Sequence, residues 1–195
     1  MVARHASPLE ALLVDERFDG EINPFEPMSR HTTYRIGGPA RYFARVHSVG
    51  ALARVLEACK AMGEKWYIVG RGSNLLVADE GVNAAVIVLG RDFRSMRYDE
   101  GKSRLMLGAG VPLSAAVQEA FRRSLAGLEF AVGTPGSVGG ALRMNAGSRD
   151  EWLGARVESV TSFSAEGGLV RRHGSEIEWG YRCSSFPADE ILVEC

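Results

Sequence analysis

The chain has 195 residues, 46% of them apolar, which is enough for one large domain or two small ones sharing a core and too apolar for disorder. Its 23 basic and 24 acidic residues nearly cancel, so nothing electrostatic points to nucleic acid as the main partner; a small charged ligand stays open. Cys59, Cys183 and Cys195 form no CxxC pair and accompany no histidine cluster, no apolar run nears the ~20 residues of a membrane helix, and acids interrupt the first thirty residues: reduced thiols, no metal, no membrane insertion and a cytoplasmic location are expected.

In chain order, residues 8–30 combine a short apolar turn, LEALLV, with Pro8, Pro24 and Pro27, and read as a leader packed outside the main body. ARYFARV (40–46) has strand propensity. Ser48 then caps a helix whose apolar positions Leu52, Val55, Leu56, Cys59 and Met62 recur at helical spacing until Gly63 stops it. KWYIVG (65–70) and NAAVIVLG (83–90) read as buried strands, and RLMLGAG (104–110) as another. PLSAAVQEAFRRSL (112–125) is a helix with Pro112 at its start and Leu113, Ala116, Val117, Ala120 and Phe121 on one face. Residues 156–172 alternate around Gly167-Gly168 as a hairpin does. Strands and helices interleave without strict βαβ repetition, so the expected class is α+β, with a smaller unit before about residue 90 and a larger one after it.

Two glycine clusters remain, VGRGSN at 69–74 and GTPGSVGGALRMNAG at 133–147. The first fails as a dinucleotide fingerprint, because Leu75 stands where the third glycine should be and LLVADEG is no convincing helix. The second has Gly133 and Gly139 at Walker spacing, but Gly140 and Ala141 replace the Lys and Ser/Thr that hydrolysis of a nucleoside triphosphate needs. A lysine-free loop can still hold an anion, since glycines at positive φ let successive backbone N–H groups converge on one charge, with Ser73, Asn74 and Ser137 as side-chain donors. Neutral donors suit a diphosphate cofactor that is retained. Tight turns alone would explain either cluster singly; two clusters, each followed by an Asn, favour a ligand.

The succession HTTYRIGGPARYF, VGRGSNLLV, GLEFAVGTPGSVGGALRMNAG and WGYRCSSF, spanning roughly residues 25–195, resembles the UDP-N-acetylenolpyruvoylglucosamine reductase (MurB) family. The resemblance implies an FAD-binding domain of the vanillyl-alcohol oxidase (PCMH) type: a leader at 1–30 and two packed α+β subdomains, 31–90 and 91–195. It implies non-covalent FAD, with Gly70, Arg71, Gly72, Ser73 and Asn74 around the diphosphate and Pro135, Gly136, Ser137, Gly139, Gly140, Asn145, Ala146 and Gly147 along the diphosphate and flavin ring. It also implies NADPH as hydride donor, UDP-N-acetylglucosamine enolpyruvate as substrate, and Arg182 as the cation beside the enol carboxylate.

The chain departs from the family pattern at His31, Ser148-Arg149 and Pro187, which touches ring stacking and substrate contacts rather than the loops. The family's proton-donating serine and its glutamate belong to a downstream substrate domain and match nothing in residues 1–195. The expectation is therefore the flavin-binding part of a longer protein, with an exposed C-terminal edge at ILVEC and no significant turnover alone. A related flavoprotein oxidase and a non-catalytic flavin module are the alternatives. Histidines 5, 31, 47 and 173 lie outside both loops, which argues against a tethered flavin.

Overall fold

A computed structural model describes residues 7–195, which form two compact units divided at Arg91 and Asp92. The first unit opens with helix α1 (Pro8–Leu13). Ser7 caps it by accepting the Glu10 N–H at 3.2 Å while the Glu10 carboxylate accepts the Ser7 N–H at 2.8 Å. Strands β1 (Gly20–Pro27) and β2 (Pro39–Val46) follow, then helix α2 (Val49–Met62), β3 (Trp66–Ile68) and β4 (Val82–Leu89). They build one sheet in the order β1-β2-β4-β3, with β1 antiparallel to β2 and the other pairs parallel.

Residues 8–30 are thus no outlying leader. Leu9 and Leu12 of α1 are buried and β1 pairs along its length with β2. A strand carrying Pro24 and Pro27 is tolerated because it occupies the sheet margin, where a missing N–H breaks no second ladder. The α2 reading holds: Ser48 accepts the Ala51 N–H and Gly63, at φ 62°, ends the helix. β4 is buried from Ala84 to Leu89 and packs Val86 and Val88 with Met28, Ala40, Phe43 and Val69. The strand at 65–70 exists but is not buried. β3 lies at the other margin, leaving Tyr67 and Ile68 exposed.

The second unit contains the hairpin β5 (Met96–Asp99) and β6 (Arg104–Leu107), helix α3 (Leu113–Arg122) and helix α4 (Val138–Arg143). Strands β7 (Ser159–Ser164) and β8 (Gly168–His173) form the predicted hairpin, followed by a small hairpin, β9 (Trp179–Gly180) and β10 (Cys183–Ser184), and by β11 (Ile191–Glu194). On α3 the buried stripe stops at Ala120: Phe121, in the last turn, is exposed, and the buried Glu119 carboxylate accepts from Arg122 and Arg123 instead. Pro112 is the residue before the helix rather than its first.

The ILVEC segment is not an open edge. β11 pairs with β7 on one side, and on the other Leu107 and Cys195 exchange N–H···O bonds of 2.8 and 2.9 Å while the Ala109 N–H donates to Val193 O at 2.9 Å. Both lateral rows of β11 are engaged, which removes the physical ground for self-association through it.

Glu190, just before β11, draws this sheet together. Its carboxylate accepts a two-pronged contact from Arg172 on β8 (2.5 and 2.6 Å) and the Ser162 hydroxyl on β7 (2.6 Å). The bonds from Arg172, and then from Ser162, hold the Glu190 carboxyl below its usual pKa, so its stabilising effect is complete above the ordinary glutamate range and is lost as pH falls through the depressed value. Glu190→Gln should lower unfolding free energy by about 2 kcal/mol at pH 7, measured by urea denaturation, and the gap should close in acid. A gap that persists unchanged at pH 3 would mean the charge is not what matters there.

Candidate functional site

In the first unit, the chain leaves β3 at Val69, whose N–H still bonds Ile87 O at 2.8 Å, and enters Gly70–Asn74. Among the described residues, none of the five backbone N–H groups from Gly70 to Asn74 has an acceptor. Donors left this way are satisfied by water or by a ligand. Gly72 sits at φ 65° with its carbonyl accepting the Thr33 N–H at 3.1 Å; a Cβ there would stand 2.0 Å from His31 O. The HTTY stretch, given no role from sequence, is therefore the wall against which this loop is shaped. Thr32 is buried, its hydroxyl donating to Ile36 O at 2.9 Å. Arg71 and Asn74 are exposed and Ser73 is half-buried.

In the second unit, Pro135 is exposed and Gly136, at φ 120°, turns the chain into α4. The expected row of converging N–H groups is shorter than the glycines suggest. Those of Gly136 and Ser137 have no acceptor among the described residues, but Val138 donates to Val111 O (2.9 Å), Gly139 to Ala109 O (2.8 Å) and Gly140 to the Ser137 hydroxyl (3.3 Å). Ser137 is thus a buried helix cap. Gly139 has a packing reason to be glycine: it is not at positive φ, and a Cβ would lie 2.9 Å from Ala109 Cβ.

Asn145 also departs from expectation. It is buried, at φ 40°, and its carboxamide is engaged at both ends: Nδ2 donates to Gly180 O at 2.9 Å and Oδ1 accepts the Gly154 N–H at 3.0 Å. Ala146 is buried, its N–H on Ala141 O and its carbonyl accepting from Leu153. Gly147 pairs with Trp152, so closely that a Cβ would meet Glu151 O at 2.3 Å.

Gly180 leads into the two-residue turn Tyr181–Arg182 that joins β9 to β10. Arg182 is at φ 56°, a left-handed conformation that costs a non-glycine residue about 1–2 kcal/mol. Its guanidinium lies 5.7 Å from the Tyr181 ring centre and has no carboxylate partner among the described residues. A cavity of about 180 Å³ opens here, with Asn145, Gly147, Arg149, Trp152, Trp179 and Arg182 in its lining. Trp179 is fixed by donation from Nε1 to Gly174 O (3.0 Å) and by Phe186 edge-on at 5.8 Å. The two tryptophans and Arg149 were not singled out as site residues from sequence, although WGYR contains one of them.

Arg143, at the end of α4, donates to the carbonyls of Phe186 (2.8 Å), Pro187 (3.0 Å) and Glu190. Burial lowers its pKa, opposed by Glu190 and Asp189. Burial pushes the Cys59 thiol up to about 11, which keeps it protonated at neutral pH. No group of three His, Cys, Asp or Glu able to hold a metal occurs among the described residues.

The sequence model of the FAD binding domain family matches residues 40–172, which include both glycine loops. This chain belongs to the FAD binding domain family. Among relatives, a UDP-N-acetylenolpyruvoylglucosamine reductase of Heliobacterium modesticaldum is 43% identical over 90% of this chain and 55% of its own length, and one of Pelobacter propionicus is 43% identical over 87% and 56%. The chain spans about half the length of these curated relatives. The crystal structure of UDP-N-acetylenolpyruvylglucosamine reductase (MurB) from Thermus caldophilus matches with a TM-score of 0.74 at 36% identity, over 90% of this chain and 60% of that one. In fold alone, 6-hydroxy-D-nicotine oxidase from Arthrobacter nicotinovorans is similar, with a TM-score of 0.69 at 20% identity over 93% and 42%. The FAD binding domain fold here is α+β, of the vanillyl-alcohol oxidase type.

Gly139→Ala tests what the second loop needs its glycines for. Its Cβ overlaps Ala109, so the variant should lose about 1–3 kcal/mol of stability with no flavin present, measured by denaturation. Unchanged stability with weakened flavin binding would assign Gly139 to the cofactor instead.

Proposed function

We propose that this chain supplies the flavin-binding part of an NADPH-dependent UDP-N-acetylmuramate dehydrogenase acting in the cytoplasm in peptidoglycan synthesis. The residues present fit FAD: among the described residues the N–H groups of Gly70–Asn74 in the first unit have no acceptor, nor, in the second unit taken by itself, do those of Gly136 and Ser137, and each set consists of neutral donors of the kind a retained diphosphate needs. Arg71, Ser73 and Asn74 add side-chain donors; Pro135 and Gly140, both exposed, supply surface that lets a ring system approach backbone, while Gly139, Ala146 and Gly147 shape that surface from behind by their close packing. FAD, when bound, supplies the two-electron chemistry that carries hydride from NADPH to the vinyl carbon of UDP-N-acetylglucosamine enolpyruvate.

The observation that carries the reading is Arg182, a guanidinium with no carboxylate partner among the described residues, carried on a strained turn beside a cavity lined by two indole rings. Hydride addition to the vinyl carbon builds negative charge toward the enolpyruvyl carboxylate. A planar cation there, flanked by Trp152 and Trp179, favours the charged state over the neutral one. The proton that completes the reduction is assigned to no residue of this chain.

Non-covalent flavin is supported by the histidines. His31 is stacked on Phe43 at 4.0 Å with Nε2 3.0 Å from Glu26, His47 accepts the Arg91 N–H through Nδ1, and neither they nor His173 lies in a glycine loop; His5 lies outside the described residues. Acid precipitation of the yellow protein should therefore leave all flavin in the supernatant, whereas flavin remaining with the chain would point to an oxidase-type tether. In the protein that carries this chain, Arg182→Lys should slow hydride delivery to the enolpyruvyl substrate by about 10²-fold while flavin reduction by NADPH is unchanged. Equal slowing of both half-reactions in stopped flow would remove Arg182 from the chemistry.

A further inference from the structure

We infer that Asn145 is a positioning residue: its carboxamide fixes the Tyr181–Arg182 turn, and through it the direction of the Arg182 guanidinium; this rests on the reading of Arg182 as the carboxylate-binding cation. Asn145 Nδ2 holds Gly180 O, the last carbonyl before the turn, at 2.9 Å. Its Oδ1 is itself held by the Gly154 N–H at 3.0 Å, so the amide cannot rotate without losing both bonds. Gly154 in turn lies against the Trp179 ring, where a Cβ would come within 2.2 Å, and Trp179 is a wall of the same cavity. One buried side chain thereby links α4, the segment at Gly154 and the β9–β10 hairpin.

A two-stranded hairpin of four paired residues does not hold a left-handed arginine by itself, because such hairpins are marginal and the arginine conformation is unfavourable. Outside contacts compensate: Trp179 Nε1 holds Gly174 O at 3.0 Å, at the end of β9 away from the turn, and two more contacts lie nearer the turn. Ser184 Oγ donates to Arg143 O at 2.9 Å and anchors β10. Asn145 anchors the β9 side, next to the turn. Without Asn145 the Gly180 carbonyl is released while β10 remains attached, so the turn loosens and the rest of the unit stays folded. Asn145 itself accepts φ 40° readily, since asparagine enters the left-handed region more easily than other non-glycine residues.

Two variants separate the bonds. Asn145→Gly tolerates the backbone angle and removes both; Asn145→Asp keeps the acceptor for Gly154 and replaces the donor to Gly180 O with an oxygen. Backbone ¹⁵N order parameters of Tyr181 and Arg182 in the 195-residue chain should fall from about 0.85 to below about 0.6 in both variants, with the amide signals of β7, β8 and β11 unmoved. Affinities for UDP-N-acetylglucosamine enolpyruvate and for UDP-N-acetylglucosamine, which lacks the carboxylate, give the second readout. The preference for the enolpyruvyl compound should drop roughly tenfold in Asn145→Asp and in Arg182→Ala, and no further when the two are combined. Unchanged order parameters overturn the proposal, as does a loss of preference that adds to that of Arg182→Ala, or a general loss of the β7, β8 and β11 signals. A loosened turn with a preference that Arg182→Ala leaves intact has a different meaning: the clamp stands and the carboxylate role of Arg182 falls.

Discussion

The contact between Arg172 and Glu190 is the interaction on which the second unit depends. Through the two carboxylate oxygens it ties β8 to the segment entering β11, Ser162 adds β7, and the Glu190 carbonyl receives Arg143 from the end of α4. Because burying a carboxylate is unfavourable unless its lone pairs are met, these partners come as a set; removing one exposes the cost of the others. Arg143 is the last residue of α4, which runs through the second glycine cluster and ends two residues before Asn145. Sheet electrostatics and site geometry are therefore joined through one short helix.

The two glycine loops solve different problems. At Gly70–Asn74 the backbone is shaped by close approach to His31 and Thr33, and all five N–H groups are without an acceptor among the described residues. At Gly133–Gly147 the amides of Val138 and Gly139 are turned inward to bind the start of α4 to Val111 and Ala109, and most of the others close bonds within the segment itself. Similar composition thus gives a donor row in one case and a packed helix start in the other. The difference lies in what runs alongside each loop, and a local pattern does not contain that.

The same limit explains what the amino-acid sequence did and did not disclose. α2 was legible from end to end because Ser48, a 3.6-residue apolar period and Gly63 are local signals that agree. The β7–β8 hairpin was legible for the same reason. β1 was hidden by Pro24 and Pro27, and the exposure of β3 could not be told from its composition, since an apolar run reads alike in a sheet's middle and at its margin. Asn145 stood out as a residue, but a carboxamide in a glycine-rich motif suggests a ligand, and its partners Gly154 and Gly180 are 9 and 35 residues away. Glu190 and Trp152 carried no local pattern, and Arg143 and Trp179 stood inside motifs that gave them no role of their own. Their meaning arises only from contacts across the chain.

The prolines that concealed β1 have a second effect. A strand at the margin of a sheet presents N–H and C=O groups to any passing extended chain, and a continuous row of them is a template for another strand. Pro24 and Pro27 carry no N–H, so the outer strand of the first unit has gaps in its donors, and Phe25 between them, at φ 54°, bends the backbone out of strand geometry. An incoming segment would find an interrupted ladder on a kinked rail. The sheet of the first unit thereby carries, in its own outer strand, a feature that opposes growth on that side.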